Sequence, residues 1–304
     1  MKIYRYLDTN GAIATLKSSS VLLKCPVEYN DPFDGLFYLT EKERKKAYSL
    51  FENYYAFKEL YKFFFIDKNK PIRFKGYANL LKKNIELIAL NVRKTGRYCY
   101  ERTISIHNYF SVVATKKALG DFSNEFNKLF DAILKMIREQ ALVCCFGSDN
   151  KSILLWSHYA EDHKGACIEY EVPDDGTFSA VEYRKKLPVF QLTKALSYFF
   201  GNDFANEKMR LDDAAFRFVL KPLLTKSTDW KYEKEYRCIL SKDEANDRRW
   251  SDGKYNLFRM PKPTKVYLGC KATRVFEKKI KEFLGDVPLV RMKMSADEYG
   301  VENE

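Results

Sequence analysis

The chain has 304 residues, 46% of them hydrophobic and 15% aromatic, so it can bury a substantial core and is not intrinsically disordered. Its formal charge of +12 predicts attraction to polyanions, of which nucleic acid is the commonest. Seven cysteines without C-x-x-C spacing, no stretch near the roughly 20 apolar residues of a membrane span and no apolar signal core favour a cytoplasmic protein without membrane contact.

The first 35 residues predict a strand, a helix and a second strand, followed by a polar turn. The strands are expected at residues 2–6 and 20–24 and the helix at 10–17, and Cys25-Pro26 ends the second strand because proline cannot donate a ladder hydrogen bond. The turn over residues 29–35 reads Tyr-Asn-Asp-Pro-Phe-Asp-Gly, in which an aspartate before proline is held extended and Asp-Gly allows a reversal.

A helical pattern occupies residues 41–140. Its clearest apolar stripe has three- and four-residue steps, at Phe122, Phe126, Leu129, Ile133 and Ile137. No repeat, low-complexity tract or Pro/Gly/Ser-rich linker marks a second domain. We therefore predict one domain over residues 1–304 with a large helical insertion at 41–140.

The second half of the chain alternates strands and helices. A buried strand at 142–146, a helix at 152–160 and a strand at 166–172 come first. Further strands are predicted near 181–183, 236–240, 265–269 and 287–292, and helices near 192–198, 204–220 and 275–284.

Two of the three histidines lie in one short segment, at positions 158 and 163. His158 is a candidate acid or base because the histidine pKa lies near neutrality, although a histidine satisfied by backbone hydrogen bonds fits equally well. No third ligand stands at metal spacing, so no zinc site is predicted. The absence of G-x-S-x-G, P-loop and G-x-G-x-x-G motifs argues against the commonest hydrolase, nucleotide triphosphatase and dehydrogenase designs.

Glu233 and Glu235 alternate just before an apolar, β-prone run. If the strand extends back through them, both carboxylates point to one face, and Arg237 joins that face to orient a cleft acid. Lys226 and Trp230 would supply a cation and an aromatic wall. The alternative is an edge strand whose charges discourage aggregation.

Four motifs in this order resemble a widespread bacterial family, known only as domain-of-unknown-function family 2971, over nearly the whole chain. They are Tyr4-Arg5-Tyr6, Asn30-Asp31-Pro32-Phe33-Asp34, Leu155-Trp156-Ser157-His158-Tyr159-Ala160 with His163-Lys164-Gly165, and Trp230 with Tyr232-Glu233-Lys234-Glu235-Tyr236-Arg237. The family name implies no activity.

A weaker resemblance links the order of strand, helix, strand and late glutamate to the ADP-ribosyltransferase superfamily. It implies that NAD is the substrate and that Glu235 binds the ribose hydroxyls and faces the positive charge that develops on the ribose, while Glu233 contacts the acceptor. It also implies that Arg5 holds the NAD phosphates or ribose, and that Trp156 or Tyr159 stacks on the nicotinamide.

We therefore expect an α+β fold with a split, mostly antiparallel sheet, acting as an NAD-dependent ADP-ribosyltransferase. The basic charge favours a DNA or RNA acceptor, and the resemblance suggests a toxin or anti-phage defence role with an antitoxin or other regulatory protein. The predicted catalytic residues are Glu235, Glu233 and His158. The predicted NAD-binding residues are Tyr4, Arg5, Tyr6, Trp156, Tyr159 and Arg237. The predicted substrate-binding residues are Asn30, Asp31, His163, Lys164, Lys226 and Trp230.

Two alternatives stay open. One is a nuclease-like effector in which Glu233, Glu235 and His158 surround a divalent metal. The other is a nucleic-acid-binding module without catalysis.

Overall fold

The computed structural model describes residues 1–52, 131, 134–135, 138–139, 141–193, 221–241 and 256–304. The chain divides into two compact units. The first unit comprises Met1–Gly35, Gln140–Lys186 and Leu224–Glu304, and the second comprises Leu36–Glu139 and Leu187–Leu223. The single domain over residues 1–304 stays a prediction.

The elements follow in chain order. They are β1 (Lys2–Leu7), α1 (Thr9–Ser18), β2 (Ser20–Leu22), α2 (Glu41–Glu52), β3 (Ala141–Phe146), α3 (Ile153–Tyr159), β4 (Ala166–Glu171), β5 (Phe178–Ala180), β6 (Glu182–Arg184), β7 (Thr225–Ser227), β8 (Tyr236–Ser241), β9 (Leu257–Arg259), β10 (Lys265–Leu268), α4 (Arg274–Leu284), β11 (Leu289–Met294) and β12 (Val301–Asn303). Short 3₁₀ helices occupy Pro26–Glu28, Lys221–Leu224 and Thr228–Glu233.

The predicted strand, helix and strand at the start of the chain are confirmed. Asp8 begins α1 by accepting a hydrogen bond from the Gly11 amide at 2.6 Å, and Ser19 ends the helix in the left-handed region, with φ 52°. The second strand is shorter than predicted. It stops at Leu22, and Lys24 keeps only a single bridge to Val143.

Several predicted elements lie outside the described residues. These include the apolar stripe, whose five positions are not described, the helix expected at 204–220 and most of the one at 192–198. The helix α2 lies in the second unit and covers the start of the predicted helical segment. The strand expected near 181–183 is instead two strands, β5 and β6, which Val181 separates.

The first unit is an α+β structure with mostly antiparallel sheets, as predicted. The largest sheet has the order β1-β4-β10-β11-β12, and only the β10–β11 pair in it is parallel. The helix α4 connects those two parallel strands, which need a crossover. An antiparallel sheet has the order β3-β8-β5, β2 pairs antiparallel with β9, and β6 pairs parallel with β7.

The two larger sheets meet at one backbone bridge between Tyr4 of β1 and Gly147, directly after β3. The amide of Tyr4 donates to the Gly147 carbonyl at 3.0 Å, and the amide of Gly147 donates back at 2.7 Å. This bridge fixes the side chains at the end of β3 beside those of β1.

Each face of the five-stranded sheet packs against a different core. Ile3 and Ile168 face a large core that is shared with the three-stranded sheet, α1 and α4. Tyr6 and Cys167 point to the opposite face, where they pack with Trp156 of α3. Since side chains alternate along a strand, Arg5 shares the side of Ile3 and points between the two sheets.

Candidate active-site cavity

A cavity of about 330 Å³ opens in the first unit, at the low end of the size of ligand pockets. Its wall is formed by β1, the turn after β2, β3 with Gly147, the end of α3, and residues on either side of the 3₁₀ helix Thr228–Glu233. The cavity thus lies beside the bridge that joins the two sheets.

Five charged side chains form a buried cluster at this wall, which we call the charge cluster. Its members are Asp34, Lys226, Glu233, Glu235 and Arg237, none more than 8% exposed. The Lys226 Nζ atom lies 2.5 Å from Glu233 Oε2, 3.1 Å from Glu235 Oε2 and 3.7 Å from Asp34 Oδ2. One ammonium group therefore neutralises parts of three carboxylates, as buried charges require.

Arg237 binds two acids of the charge cluster from a position outside the cavity wall. Its Nε donates to Glu235 Oε1 at 2.7 Å, and its Nη2 donates to Asp34 Oδ2 at 2.7 Å. The side chain is 1% exposed and does not line the cavity. Arg237 therefore orients Glu235, as the strand pattern suggested, and the prediction that it contacts NAD is corrected, since burial keeps it from the ligand space.

The two glutamates converge by a route that the sequence pattern did not predict. The 3₁₀ helix ends at Glu233, Lys234 takes a left-handed conformation with φ 44° and ψ 52°, and Glu235 precedes β8. The backward extension of the strand, on which the one-face argument depended, is therefore absent. A bend at Lys234, instead of strand alternation, turns both carboxylates toward Lys226.

The environment shifts the pKa values of the two acids in opposite directions. Burial alone raises the pKa of Glu235, but the charges of Arg237 and Lys226 outweigh it and lower the pKa to about 2. Burial and the neighbouring Glu235 charge raise the pKa of Glu233, and the attraction of Lys226 does not fully offset them. Glu235 thus stays ionised, while Glu233 takes up a proton more readily, which is the pattern of acid and base pairs in active sites.

Two tyrosines fix the glutamates. The Tyr159 hydroxyl donates to Glu233 Oε1 at 2.8 Å, and the Tyr183 hydroxyl accepts from the Glu235 amide at 2.8 Å. Tyr159 lies at the last turn of α3, and that helix begins where the Ser152 hydroxyl accepts from the Leu155 amide. Of the predicted ring contacts to a ligand, the one from Tyr159 is compatible with the structure, because this side chain lines the cavity.

Arg5 is a half-buried cation that forms no ion pair with the described residues. Its Nη1 donates to the Cys145 carbonyl at 2.5 Å and its guanidinium lies 5.9 Å from the centroid of the Phe146 ring, but its buried Nε has no hydrogen-bond partner there. A cation at a cavity wall that lacks a counter-ion suits an anionic ligand group. Tyr4 and Tyr6 line the cavity beside Arg5.

Trp156 and His158 do not reach the cavity, although they neighbour Tyr159 in sequence. Trp156 is fully buried, and its Nε1 donates to the Asn150 carbonyl at 2.8 Å. Its predicted stacking on nicotinamide is corrected, because the ring belongs to the core under α3. His158 is exposed and packs on Tyr159 and Tyr232, so its predicted catalytic role is corrected as well.

The His163-Lys164-Gly165 motif builds a tight turn instead of a binding site. Residues 161–163 all have left-handed φ values, between 52° and 68°, which are strained for side chains other than glycine. A Cβ on Gly269 would lie 2.0 Å from the His163 carbonyl oxygen, so the two backbones pack without space between them. His163 stacks on Trp156, and burial lowers its pKa, while Lys164 is exposed outside the cavity wall. Neither residue lines the cavity, and the predicted substrate contacts of both stay predictions.

The polar turn over residues 29–35 contributes a different aspartate to the site from the one that was predicted. Asn30 lines the cavity, but Asp31 does not, since its Oδ1 accepts from the Phe33 amide at 2.9 Å and shapes the turn. Asp34 is the aspartate that enters the charge cluster, and its position in the same motif was the available signal. Lys226 lines the cavity, whereas Trp230 lies 4.8 Å from the Lys226 Nζ atom and outside the wall.

Within the described ranges, no group of three or more His, Cys, Asp and Glu residues could hold a metal ion. Among the helices that the structure describes, none has the length and apolar character to cross a bilayer.

Comparison with known proteins identifies one family. Residues 155–238 match the model of a family described as a protein of unknown function, DUF2971, and this match confirms the predicted resemblance. The matched segment contains most of α3, the tight turn, Lys226 and both glutamates, while β1 and the polar turn over residues 29–35 precede it. No curated protein and no solved structure matches the chain.

Proposed function

We propose that this chain, whose residues 155–238 match the DUF2971 family, is an NAD-dependent ADP-ribosyltransferase that modifies nucleic acid. The observation that carries the proposal is the meeting of Glu233 and Glu235 at the wall of one cavity with opposite pKa shifts. One permanently ionised acid and one acid that exchanges a proton are the two groups that this transfer needs.

The chemistry divides between the two acids. A nucleophilic atom of the acceptor bonds to C1′ of the nicotinamide ribose, and the bond from C1′ to the nicotinamide nitrogen breaks. Nicotinamide leaves with the electron pair, and the proton of the acceptor passes to Glu233. Positive charge that develops on the ribose is stabilised by the ionised Glu235, in a site that Arg237 and Lys226 preorganise.

The cavity offers suitable contacts for part of a dinucleotide. The unpaired guanidinium of Arg5 suits a phosphate oxygen, and the half-exposed Tyr159 ring suits a planar group. The volume of about 330 Å³ suits the nicotinamide and its ribose, with the remainder of NAD extending outward. Two mostly antiparallel sheets that meet at one bridge beside the cavity support the split-sheet architecture of the superfamily.

The proposed acceptor and setting rest on charge, composition and resemblance. A formal charge of +12 favours a DNA or RNA acceptor over a protein. The toxin or anti-phage role, the antitoxin or other regulatory partner and the cytoplasmic location stay predictions from the resemblance and the composition.

The metal-dependent nuclease alternative has less support. The Lys226 Nζ atom occupies the space between Glu233 and Glu235, at 2.5 and 3.1 Å, where the metal of that mechanism would bind. His158, its third predicted ligand, lies outside the cavity wall.

The decisive experiment uses NAD labelled in its adenylate half, incubated with purified protein and with single-stranded DNA, duplex DNA, RNA or protein acceptors. We expect label to move to a nucleic acid with release of one nicotinamide for each label transferred. Strand cleavage that needs added Mg²⁺ or Mn²⁺, without nicotinamide release, would establish the nuclease instead. Salt-sensitive binding of nucleic acid without either reaction would establish the non-catalytic module.

A further inference from the structure

The three acids at the cavity wall have six carboxylate oxygens, and five of them are engaged. Glu233 Oε1 accepts from Tyr159 and its Oε2 from Lys226, while Glu235 uses Oε1 for Arg237 and Oε2 for Arg237 and Lys226. Asp34 Oδ2 accepts from Arg237. The sixth, Asp34 Oδ1, is buried and has no hydrogen-bond partner in the part of the chain that the structure describes.

We infer that Asp34 Oδ1 is the acceptor through which the cavity binds a hydroxyl group of its ligand. The inference rests on the proposed function, under which this group is a hydroxyl of the nicotinamide ribose. It assigns substrate recognition to Asp34, which belongs to a motif of the chain but was not among the predicted site residues.

The turn that carries Asp34 holds the carboxylate in a fixed orientation. The Asp34 amide donates to the Asp31 carbonyl at 3.1 Å, and Gly35 follows with φ 65°, a conformation that glycine adopts without strain. Arg237 anchors Oδ2 at 2.7 Å, and Lys226 lies 3.7 Å from the same oxygen. With one oxygen anchored, the direction of the other is set before any ligand arrives, which lowers the entropic cost of binding.

Because it is buried, the unpaired Asp34 Oδ1 favours a ligand group that donates a hydrogen bond. Asp34 is 4% exposed, and a buried acceptor that stays unpaired is unfavourable because it has lost its hydrogen bonds to water. A ligand hydroxyl would restore a hydrogen bond, whereas a ligand without the hydroxyl would leave the oxygen unpaired. The site therefore selects for the hydroxyl, as sites built to bind a hydroxyl group do.

Glu235 is less suited to the same role. Both of its oxygens already accept from cations, so a ribose hydroxyl would have to displace Lys226 or Arg237. Asp34 gives up no contact when it binds the hydroxyl. Glu235 is then left to stabilise the charge that develops during bond cleavage, while Asp34 binds the ground-state ligand.

The test is equilibrium binding of NAD and of two NAD analogues, each lacking one hydroxyl of the nicotinamide ribose. We expect wild-type protein to bind one analogue at least about 10-fold more weakly than NAD. Asp34→Asn should bind NAD with a similar loss and should no longer distinguish that analogue from NAD. The matched control is Asp31→Asn in the same turn, which should behave like wild type because Asp31 lies outside the cavity wall.

The outcomes separate the inference from the proposed function. If Asp34→Asn binds NAD and still discriminates as wild type does, the role of Asp34 is overturned while NAD binding stands. If wild-type protein binds NAD but neither analogue more weakly, the role of Asp34 is also overturned. If wild-type protein does not bind NAD at all, both proposals fall.

A crystal structure of the wild-type complex with NAD covers the case in which Asp34→Asn does not fold. A ribose oxygen within about 3.2 Å of Asp34 Oδ1 supports the inference. Ribose hydroxyls that contact only Glu235 or Glu233 overturn it.

Discussion

The charge cluster and a second buried carboxylate in the same unit show what distinguishes a site from a structural ion pair. Glu169 of β4 is 3% exposed, as buried as Glu235, which is 4% exposed. Its Oε1 accepts from the Lys2 Nζ atom at 2.9 Å and from the Thr264 hydroxyl at 3.0 Å, and its Oε2 accepts from the Tyr267 hydroxyl at 2.8 Å. We call these four residues the Glu169 cluster.

Both clusters pair their carboxylates, but they differ in completeness and in position. Both oxygens of Glu169 are satisfied, and none of its four residues lines the cavity. Four of the five residues of the charge cluster line the cavity, and the cluster contains three acids for two cations and leaves Asp34 Oδ1 unpaired among the described residues. Burial of a carboxylate therefore does not mark a functional site by itself, whereas incomplete pairing beside a cavity does.

The largest expected effect separates the two buried glutamates directly. Glu235→Gln removes the charge that faces both Arg237 and Lys226, so we expect label transfer to fall at least about 100-fold. The variant should also lose about 3–5 kcal/mol of unfolding free energy, because two buried cations lose a partner. Glu169→Gln should keep transfer near the wild-type rate. Transfer assays and denaturant unfolding check both, and equal loss of transfer in the two variants would contradict the comparison.

The cations of the two clusters should differ in a similar way. Lys226→Met leaves the charges of Glu233 and Glu235 poorly compensated, with an expected loss of about 3 kcal/mol or more in unfolding free energy. Lys2→Met removes an ammonium whose side chain is 58% exposed, so the loss should be much smaller. Urea unfolding of both variants measures the difference, and a larger loss for Lys2→Met would overturn the assignment of Lys226 as the central cation.

Acid should weaken the charge cluster over a defined pH range. The folded-state pKa of Glu235 is about 2, below its ordinary value of 4.5, so its stabilising effect is complete above pH 4.5 and is lost as the pH falls toward 2. The loss amounts to about 3 kcal/mol in unfolding free energy. Urea unfolding between pH 6 and 3 should show a steeper decline for wild type than for Glu235→Gln. Parallel declines would show that Glu235 is not the titrating group.

The smallest effect compares the two tyrosines that donate to buried glutamates. The hydrogen bond from Tyr159 lowers the pKa of Glu233, so Tyr159→Phe should raise this pKa further. If Glu233 accepts the proton of the acceptor, the acidic limb of the pH profile of label transfer then moves to higher pH. Tyr267→Phe removes the equivalent bond to Glu169 and should leave the profile unchanged, although each variant loses about 1–2 kcal/mol of stability. A shift in the Tyr267 variant alone would reverse the roles of the clusters.

Sequence patterns predicted the longer elements of the first unit because their signals are local. The apolar run at 142–146 and the alternation at 236–240 each gave a strand within a residue of the observed bounds. The three-residue strands β7, β9 and β12 were not predicted, because so short a segment is defined by its partner strand and not by its own composition. The break at Val181 between β5 and β6 has the same origin, since each of these strands pairs with a different neighbour.

The site was predicted in part for a similar reason. Charge and spacing identified Lys226, Glu233 and Glu235, which are close in sequence. The choice between Asp31 and Asp34 depends on Arg237, which lies 203 positions beyond Asp34 and was not expected to reach that turn.

Sequence also does not determine which aromatic residues of helix α3 face the cavity, although these residues are close together in the chain. Which of its aromatic residues faces the ligand depends on how the helix packs, and Tyr6, Cys167 and Tyr267 of the five-stranded sheet determine that packing. Trp156 packs against these three residues, whereas Tyr159 lies at the cavity wall.

The left-handed backbone at Lys234 restricts which residue types can occupy the middle position of the Glu-X-Glu pattern. The lysine side chain is 68% exposed, so its chemistry can vary, but a φ of 44° is open mainly to glycine, asparagine and aspartate and disfavours β-branched residues. A valine there would favour an extended backbone and would part the two carboxylates. In other chains with this pattern, glycine or asparagine between the glutamates should accompany the same pocket, whereas valine, isoleucine or threonine should signal an ordinary strand.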